Sequence, residues 1–173
     1  VPLMFSDAMK PLCDRLAGVA LEVEARCNGQ SFTENLLFTH RGVSGPVILQ
    51  ISNYWSPGDT VSINLLPHLD VRDWLLQSKC KQSHSLLRTL LTQKLPKALV
   101  AEVQTLWWSN EAERKLGDYS DRRLEEVAEL LRNWPLKPSG TEGYRTAEVT
   151  LGGVDTVGVS SRTMEANVHD GLF

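Results

Sequence analysis

An Asn-Gly pair at positions 28 and 29 places the strongest local constraint on how this chain folds. Before it, over residues 17–27, apolar residues alternate with charged ones, as in a half-buried strand. After it, residues 30–39 (QSFTENLLFT) alternate weakly and end in an apolar run. Because both residues of an Asn-Gly pair tolerate positive φ, the pattern predicts an antiparallel hairpin whose second strand runs into a buried place.

Further strand patterns lie on both sides of a helical stretch. Residues 60–66 alternate as a strand, and residues 145–151 (RTAEVTL) are predicted to form another. Between them the character changes, and residues 67–133 are predicted to be helical. The all-β part is therefore split in sequence, with helices inserted into it.

The helical stretch is predicted to hold four helices. Asp70 is positioned to cap the first from about residue 71, and Ser120 or Asp121 to cap the last. Residues 84–94 and 96–108 are predicted to form the two between them, the second with Pro96 at its first position.

Composition excludes several classes of protein. The 173 residues carry 18 basic and 21 acidic side chains, a formal charge of −3, which argues against a broad basic surface for nucleic acid. No apolar run reaches the roughly 20 residues of a membrane span, and no signal peptide pattern is present. Three widely spaced cysteines without a C-x-x-C favour neither zinc nor disulfides, so we predict no metal and a reducing cytoplasm. The start without methionine and the apolar end suggest a piece of a longer protein.

The usual catalytic and nucleotide-binding motifs are missing from the sequence. It contains no G-x-G-x-x-G after a strand, no G-x-x-x-x-G-K-[ST], no H-E-x-x-H and no G-x-S-x-G. The four histidines are far apart in sequence. Motifs alone therefore predict no self-sufficient active site.

Two glycine-bearing segments stand out as candidate functional loops. The first is THRGVSGP (residues 39–46), where glycines at a strand-to-helix junction let backbone approach a ligand. The second is SGTEGYRTAEVTLGGV (residues 139–154), in which glycines bracket Tyr144 and Arg145. From local physics alone, a tight turn with a polar rim is the favoured explanation of the first segment. Hairpin turns with an ordinary surface Tyr-Arg pair are the favoured explanation of the second.

Three stretches of this sequence resemble one family of bacterial flavoproteins. They are NLLFTHRGVSGPVILQIS, PSGTEGYRTAEVTLGGVDT and SSRTMEANVHDGLF, in the family's order from about Pro2 to the last residue. The family is that of the BaiN/RdsA-like, or YhiN-type, NAD(P)/FAD-dependent oxidoreductases. The last stretch departs from the family's pattern after Met164, so it carries less weight.

The resemblance implies the fold and the setting of the chain. It identifies this chain with an insert between the two halves of an FAD-binding domain of the same protein, and both halves are absent here. The expected fold is α+β and multi-part: a small β-barrel from split segments (residues 1–66 and 134–173) with an inserted all-α helical subdomain (67–133).

The resemblance also implies the activity. FAD would take hydride from NAD(P)H and pass it to a small organic substrate, for which a conjugated enone is one example, while the insert caps the substrate pocket. The expected partners are the FAD-binding domain and that substrate, with no nucleic acid and no membrane, and the chain alone is expected to be inactive.

Site residues are assigned from the family motifs as hypotheses. The two proton-donor candidates are His40 and Tyr144, because enone reduction needs a proton as well as a hydride. The residues expected near the flavin are Gly42, Ser44, Gly45, Gly152, Gly153 and Val154. The residues expected near the substrate are Thr39, Arg41, Thr141, Glu142 and Arg145.

A non-catalytic binding or oligomerisation module is the alternative from another class. The helical part contains Trp107 and Trp108 in sequence. Exposure of both would favour a partner surface, and burial of both would favour ordinary core packing. A nucleic-acid-binding barrel is a third alternative, which the acidic balance disfavours.

Overall fold

Seven strands form one antiparallel sheet in the computed structural model, which describes residues 1–6, 9–149 and 151–173. The strands are β1 (Leu3–Met4), β2 (Ala20–Cys27), β3 (Gln30–Thr39), β4 (Gly42–Ser44), β5 (Val61–Asn64), β6 (Trp134–Leu136) and β7 (Gly140–Thr141). Their order across the sheet is β6-β5-β2-β3-β4-β1-β7. The sheet is therefore built from both ends of the chain, as the split β pattern predicted.

The hairpin of β2 and β3 confirms the prediction from the Asn-Gly pair. Asn28 and Gly29 have φ of 49° and 77°, and the register begins with Cys27 opposite Gln30. Val23, Ala25 and Cys27 alternate inward on β2 and are buried. The apolar end of β3 is buried at Leu36 and Phe38, whereas Leu37 between them is exposed, so burial alternates along the strand although the residue types do not.

Six helices accompany the sheet in the described residues. They are α1 (Lys10–Leu16), α2 (Pro46–Ile51), α3 (Val71–Lys81), α4 (Leu87–Leu91), α5 (Lys97–Trp107) and α6 (Asp121–Arg132). The predicted caps are confirmed, because the Asp70 side chain accepts from the Asp73 amide and the Ser120 side chain from the Arg123 amide. Helix α4 is shorter than predicted, since Leu86 before it is extended and bridges to Lys115. Pro96 lies at the N-cap of α5, one position earlier than predicted.

One continuous cluster of buried side chains runs from the sheet into the helices. Trp134 of β6 lies 6.3 Å from the Phe38 ring and 5.6 Å, edge to face, from the Trp107 ring. Trp108 is only 2% exposed, and the half-buried Trp107 packs against it. The tryptophans thus form core, and they offer no exposed Trp-Trp pair for a partner.

The fold class is confirmed: the protein is α+β, with strands on both sides of a helical stretch. The predicted boundaries at residues 66–67 and 133–134 stay a prediction, because the buried cluster crosses both of them. No helix in the described ranges is long and apolar enough to cross a membrane.

The predicted strand over residues 145–151 is wrong. Residues 143–145 form a 3₁₀ turn, and the described residues from 146 to 151, which exclude Thr150, form bends and turns. Alternation of apolar residues produces a strand only where a neighbouring strand can pair with it. The sequence did not predict α1, β1 or the strand at Trp134–Leu136, which pairs with β5.

Replacing Ser120 by alanine tests the cap of α6. We expect the free energy of unfolding to fall by about 1 kcal/mol, because the Arg123 amide loses its side-chain acceptor at the helix start. Urea denaturation measures it, and Ser31→Ala, at an exposed strand position, is the control with little expected change. Equal losses in both variants would contradict a capping role.

Candidate functional site

Strand β1 lies between the two segments that the sequence singled out. On one side Leu3 and Met4 pair with Val43 and Gly42 of β4. On the other side the same two residues pair with Thr141 and Gly140 of β7. Since neighbouring strands are about 4.8 Å apart, the two glycine-bearing segments lie about 10 Å from each other across β1.

The segment predicted as a strand-to-helix loop is instead a tight hairpin. The Thr39 hydroxyl accepts from the amides of Arg41 (3.3 Å) and Gly42 (3.2 Å), which closes the turn. The chain then continues as strand β4, in which Ser44 pairs with Leu37 of β3, before α2 begins. Thr39 therefore shapes the turn, and the side chains exposed at its tip are those of His40 and Arg41.

The two glycines of this segment are required by close backbone approach. A Cβ on Gly42 would lie 2.0 Å from the Leu3 carbonyl oxygen. Gly45 has φ of 93°, and a Cβ there would lie 2.6 Å from the Asn35 carbonyl oxygen. The chain's own strands thus account for both glycines, and their assignment to a flavin stays a prediction.

At the tip of the hairpin, His40 faces a carboxylate from α1. Its Nδ1 lies 3.3 Å from Oδ1 of Asp14, and most of the imidazole is exposed. Helix α1 is held in place by the two hydrogen bonds from Arg15 to Glu102 of α5, at 2.7 and 2.9 Å. The Asp14 carboxylate can therefore hold an Nδ1–H and leave Nε2 of His40 directed to solvent or to a ligand.

Beyond β7 the chain makes a second turn that carries the other candidates. The Glu142 amide donates to the Pro2 carbonyl (3.2 Å), and the Thr141 hydroxyl accepts from the Gly143 amide (3.3 Å). Tyr144 follows and is 85% exposed, and Arg145 is exposed beside it. Thr141 and Glu142 thus position the turn that presents Tyr144 and Arg145.

The two proton-donor candidates lie at opposite ends of β1. The Arg41 carbonyl accepts from the Phe5 amide, which places the His40 turn at the Phe5 end of the strand. The Glu142 contact with Pro2 places Tyr144 toward the other end. Pro2 and Phe5 are three positions apart along the strand, a span of about 10 Å. The structure therefore does not bring His40 and Tyr144 together, although each role stays a prediction.

The Phe5 end also gathers residues that sequence reasoning missed. Lys10, from the start of α1, and Ser139, before β7, line a hollow with Arg41. No motif marks Lys10, and Ser139 is only the first residue of the candidate segment 139–154. The pairing of β1 with both β4 and β7 brings Ser139 toward Arg41. Lys137 is also exposed in this connection.

The last part of the chain exposes an unusual number of apolar side chains. Gly152, Gly153 and Val154 are exposed, and a Cβ at either glycine would have no neighbour within 4 Å. The exposed large apolar residues of this part are Val149, Leu151, Val154, Val157, Met164, Val168, Leu172 and Phe173.

The cysteines and acidic residues offer no metal site or reactive thiol at the hairpin. Burial raises the pKa of the Cys13 thiol to about 11, and the neighbouring Asp14 adds to the shift, so Cys13 is protonated at neutral pH. Cys27 is also buried, whereas Cys80 is exposed on α3. Among the described residues, no three His, Cys, Asp or Glu side chains are grouped to hold a metal ion.

Residues 1–149 match the family described as HI0933-like protein barrel and H2TH domain, and the chain belongs to it. This confirms the resemblance to the barrel and helical insert of the YhiN-type flavoproteins. The chain is 48% identical over 168 residues to the ribosomal RNA dihydrouridine synthase of Escherichia coli, covering 95% of this chain and 42% of that protein. It is 44% identical over 177 residues to the Haemophilus influenzae protein of the same name, covering 100% of this chain and 43% of that protein. The chain thus spans less than half the length of these curated relatives.

The names of these relatives contradict two predictions. The prediction of a small organic substrate is wrong, because proteins this similar are named for action on ribosomal RNA. The prediction that nucleic acid is not a partner is wrong for the same reason. That prediction rested on the net charge, and a sum over the whole chain does not describe the local surface that meets a ligand.

Proposed function

We propose that this chain is part of an enzyme that reduces a uridine of ribosomal RNA to dihydrouridine. The observation that carries the proposal is the 48% identity over 95% of the chain to a protein named for that activity. The chain supplies a face of the RNA site, and the rest of a longer protein supplies most of the flavin site.

The reaction adds two hydrogens to the C5–C6 double bond of uracil. That bond is conjugated to the C4 carbonyl, so hydride adds at C6 and a proton then adds at C5. When bound, a reduced FAD would supply the hydride, and NAD(P)H would reduce the flavin again. The task left for side chains is to hold the nucleotide, exclude water and deliver the proton.

Among the described residues predicted to lie near the flavin, one group leaves its backbone open to a ligand. The sequence has no glycine-rich fingerprint for the dinucleotide phosphates. The backbone at Gly42 and Gly45 is already covered by β1 and β3. Around Gly152, Gly153 and Val154 the backbone is open, so these three residues are the ones we propose to lie against the flavin.

His40 is the residue we propose as the proton donor to C5. It is exposed, and Asp14 contacts its Nδ1, which leaves Nε2 available for the substrate. Tyr144, at the far end of β1, is better suited to stack on a base, since exposed aromatic rings and arginine planes are the usual partners of unstacked RNA bases. Arg145, next to Tyr144, contributes a guanidinium plane that can stack on a base in the same way.

The exposed apolar residues of the last part support the view that more protein covers them. The family match ends at residue 149, and eight large apolar side chains beyond or at that point face solvent. Soluble proteins rarely leave such a group uncovered. We propose that the FAD-binding domain of the same protein packs on residues 149–173.

Nucleoside analysis of treated ribosomal RNA tests the proposed function. The intact protein that contains this chain is incubated with unmodified ribosomal RNA, FAD and NAD(P)H, and the digested RNA is examined by mass spectrometry. We expect a nucleoside two hydrogens heavier than uridine, and none with a transfer RNA as the control. Oxidation of NAD(P)H without dihydrouridine in ribosomal RNA would overturn the proposal.

A further inference from the structure

We propose that Lys10, Arg41 and Ser139 form a binding site for one phosphodiester group of the RNA. This inference rests on the proposed function, since it names the part of the RNA that this end of the sheet holds. It gives a role to Lys10, which no sequence motif indicates, and to Ser139, which had no role assigned within its candidate segment.

The site is a hollow of about 240 Å³ at the Phe5 end of β1, lined by Met4, Phe5, Lys10, Arg41 and Ser139. Backbone hydrogen bonds fix its walls. The Phe5 amide donates to the Arg41 carbonyl (3.0 Å), and the Ser139 amide donates to the Met4 carbonyl (2.8 Å). Three separate segments are therefore held in register around the hollow.

The two cations of the hollow are not used in ion pairs with the described residues. Lys10 and Arg41 are exposed, and no carboxylate of a described residue lies within 4 Å of either side chain. Other arginines differ, since Arg15 pairs with Glu102 and Arg88 with Glu113. Asp14, the acidic side chain beside the hairpin tip, faces His40 instead.

This set of donors matches a phosphate group. A guanidinium binds two phosphate oxygens with its planar fork, and an ammonium adds a point charge. The Ser139 hydroxyl donates to the Met4 carbonyl at a long 3.3 Å, so it can turn to a phosphate oxygen at little cost. Phosphate contacts of this kind fix the register of a nucleic acid on a protein without reading its sequence.

The position of the hollow connects it to the chemistry. Arg41 directly follows His40 in the hairpin, so a phosphate on Arg41 places an attached nucleotide beside the imidazole. The site would therefore act as an anchor that brings the target uridine to its proton donor. A pyrophosphate of FAD or NAD(P)H shares the same chemistry, and the test below separates the two sources.

The test measures binding of this chain to a fluorescein-labelled single-stranded RNA by anisotropy, over a series of salt concentrations. The double variant Lys10→Gln/Arg41→Gln should bind at least roughly tenfold more weakly, because charge-assisted hydrogen bonds are lost. The slope of log K against log salt should fall by about 0.7, because the contact with one phosphate group of a single strand is lost. Ser139→Ala should give a smaller loss and no change of slope.

A matched pair of substitutions controls for bulk charge. Lys81→Gln/Arg122→Gln removes the same charge at the end of α3 and the start of α6, and it should leave affinity within about twofold. Equal losses in the two double variants would overturn the proposal. So would the absence of RNA binding by the unchanged chain, provided that circular dichroism shows it folded.

Titrations with FAD and NADPH identify the source of the phosphate. Loss of cofactor binding in the Lys10/Arg41 double variant, with RNA binding unchanged, would overturn the assignment to RNA. The anchor and the proposed function can fail separately. RNA binding that depends on Lys10 and Arg41, in a protein that forms no dihydrouridine, would refute the reaction and support the anchor.

Discussion

Replacing Gly42 by alanine is expected to cost this protein on the order of 3 kcal/mol or more of folding free energy. The new Cβ would lie 2.0 Å from the Leu3 carbonyl oxygen and 2.9 Å from the Met4 Cα, and both atoms belong to backbone that cannot rotate away. Strand β1 would have to leave β4, and β7, which pairs with β1, would lose its place as well. Chemical denaturation measures the loss, and proteolysis should show cleavage near β1.

Gly153→Ala is the matched control for this prediction. A Cβ at Gly153 meets no atom within 4 Å, and its φ lies outside the left-handed region, so the change should be within about 0.5 kcal/mol. A Gly42→Ala variant as stable as Gly153→Ala would show that β1 does not lie against β4 as described. The arrangement of the candidate site would then be wrong as well, because β1 joins the two segments that form it.

Local signals predicted the parts of the fold that local chemistry determines. The Asn28-Gly29 turn and the caps at Asp70 and Ser120 each depend on residues within a few positions of one another. Such features can be read from one sequence, because the relevant φ values and cap hydrogen bonds involve neighbours in the chain.

Non-local pairing explains what could not be predicted. Strand β1 has two residues, too short for any periodic pattern, and it exists because β4 and β7 supply partners on both sides. Residues 145–149 show the opposite case. They alternate in sequence, but no strand of the described residues pairs with them, so they form no strand. A strand is a property of a pair, and the sequence of one member does not reveal whether the other is present.

The candidate site also depends on contacts between segments that are distant in sequence. Arg41 could be selected from its glycine-rich setting, but Lys10 has no motif of its own, and nothing in the sequence places Ser139 beside Arg41. The total charge of −3 pointed away from RNA, but a sum over the whole chain does not show where charges lie. Ion pairs such as Arg15 with Glu102 are neutral, whereas Lys10 and Arg41 lie together at one hollow. The charge that a ligand meets is the charge of the unpaired side chains at its own binding site.

Replacing His40 by alanine in the intact protein is expected to lower the rate of dihydrouridine formation by about 10²–10⁴-fold, the usual contribution of a general acid. Hydride addition at C6 leaves negative charge shared between C5 and the C4 oxygen, and without a donor this intermediate returns to uridine. RNA affinity should change little, because His40 is not one of the two cations of the proposed phosphate site. Single-turnover nucleoside analysis gives the rate, and anisotropy gives the affinity.

Two further variants separate a proton donor from a residue that only shapes the hairpin. Asp14→Asn keeps the size of the side chain but removes the carboxylate that contacts Nδ1, so it should lower the rate less than His40→Ala does. His84→Ala, at another exposed histidine, should leave the rate unchanged. Added imidazole should restore part of the rate in His40→Ala only, because a small acid can enter the space that the side chain occupied. If His40→Ala keeps the wild-type rate and Tyr144→Phe loses it, the proton comes from the opposite end of β1, and the uridine must lie there instead.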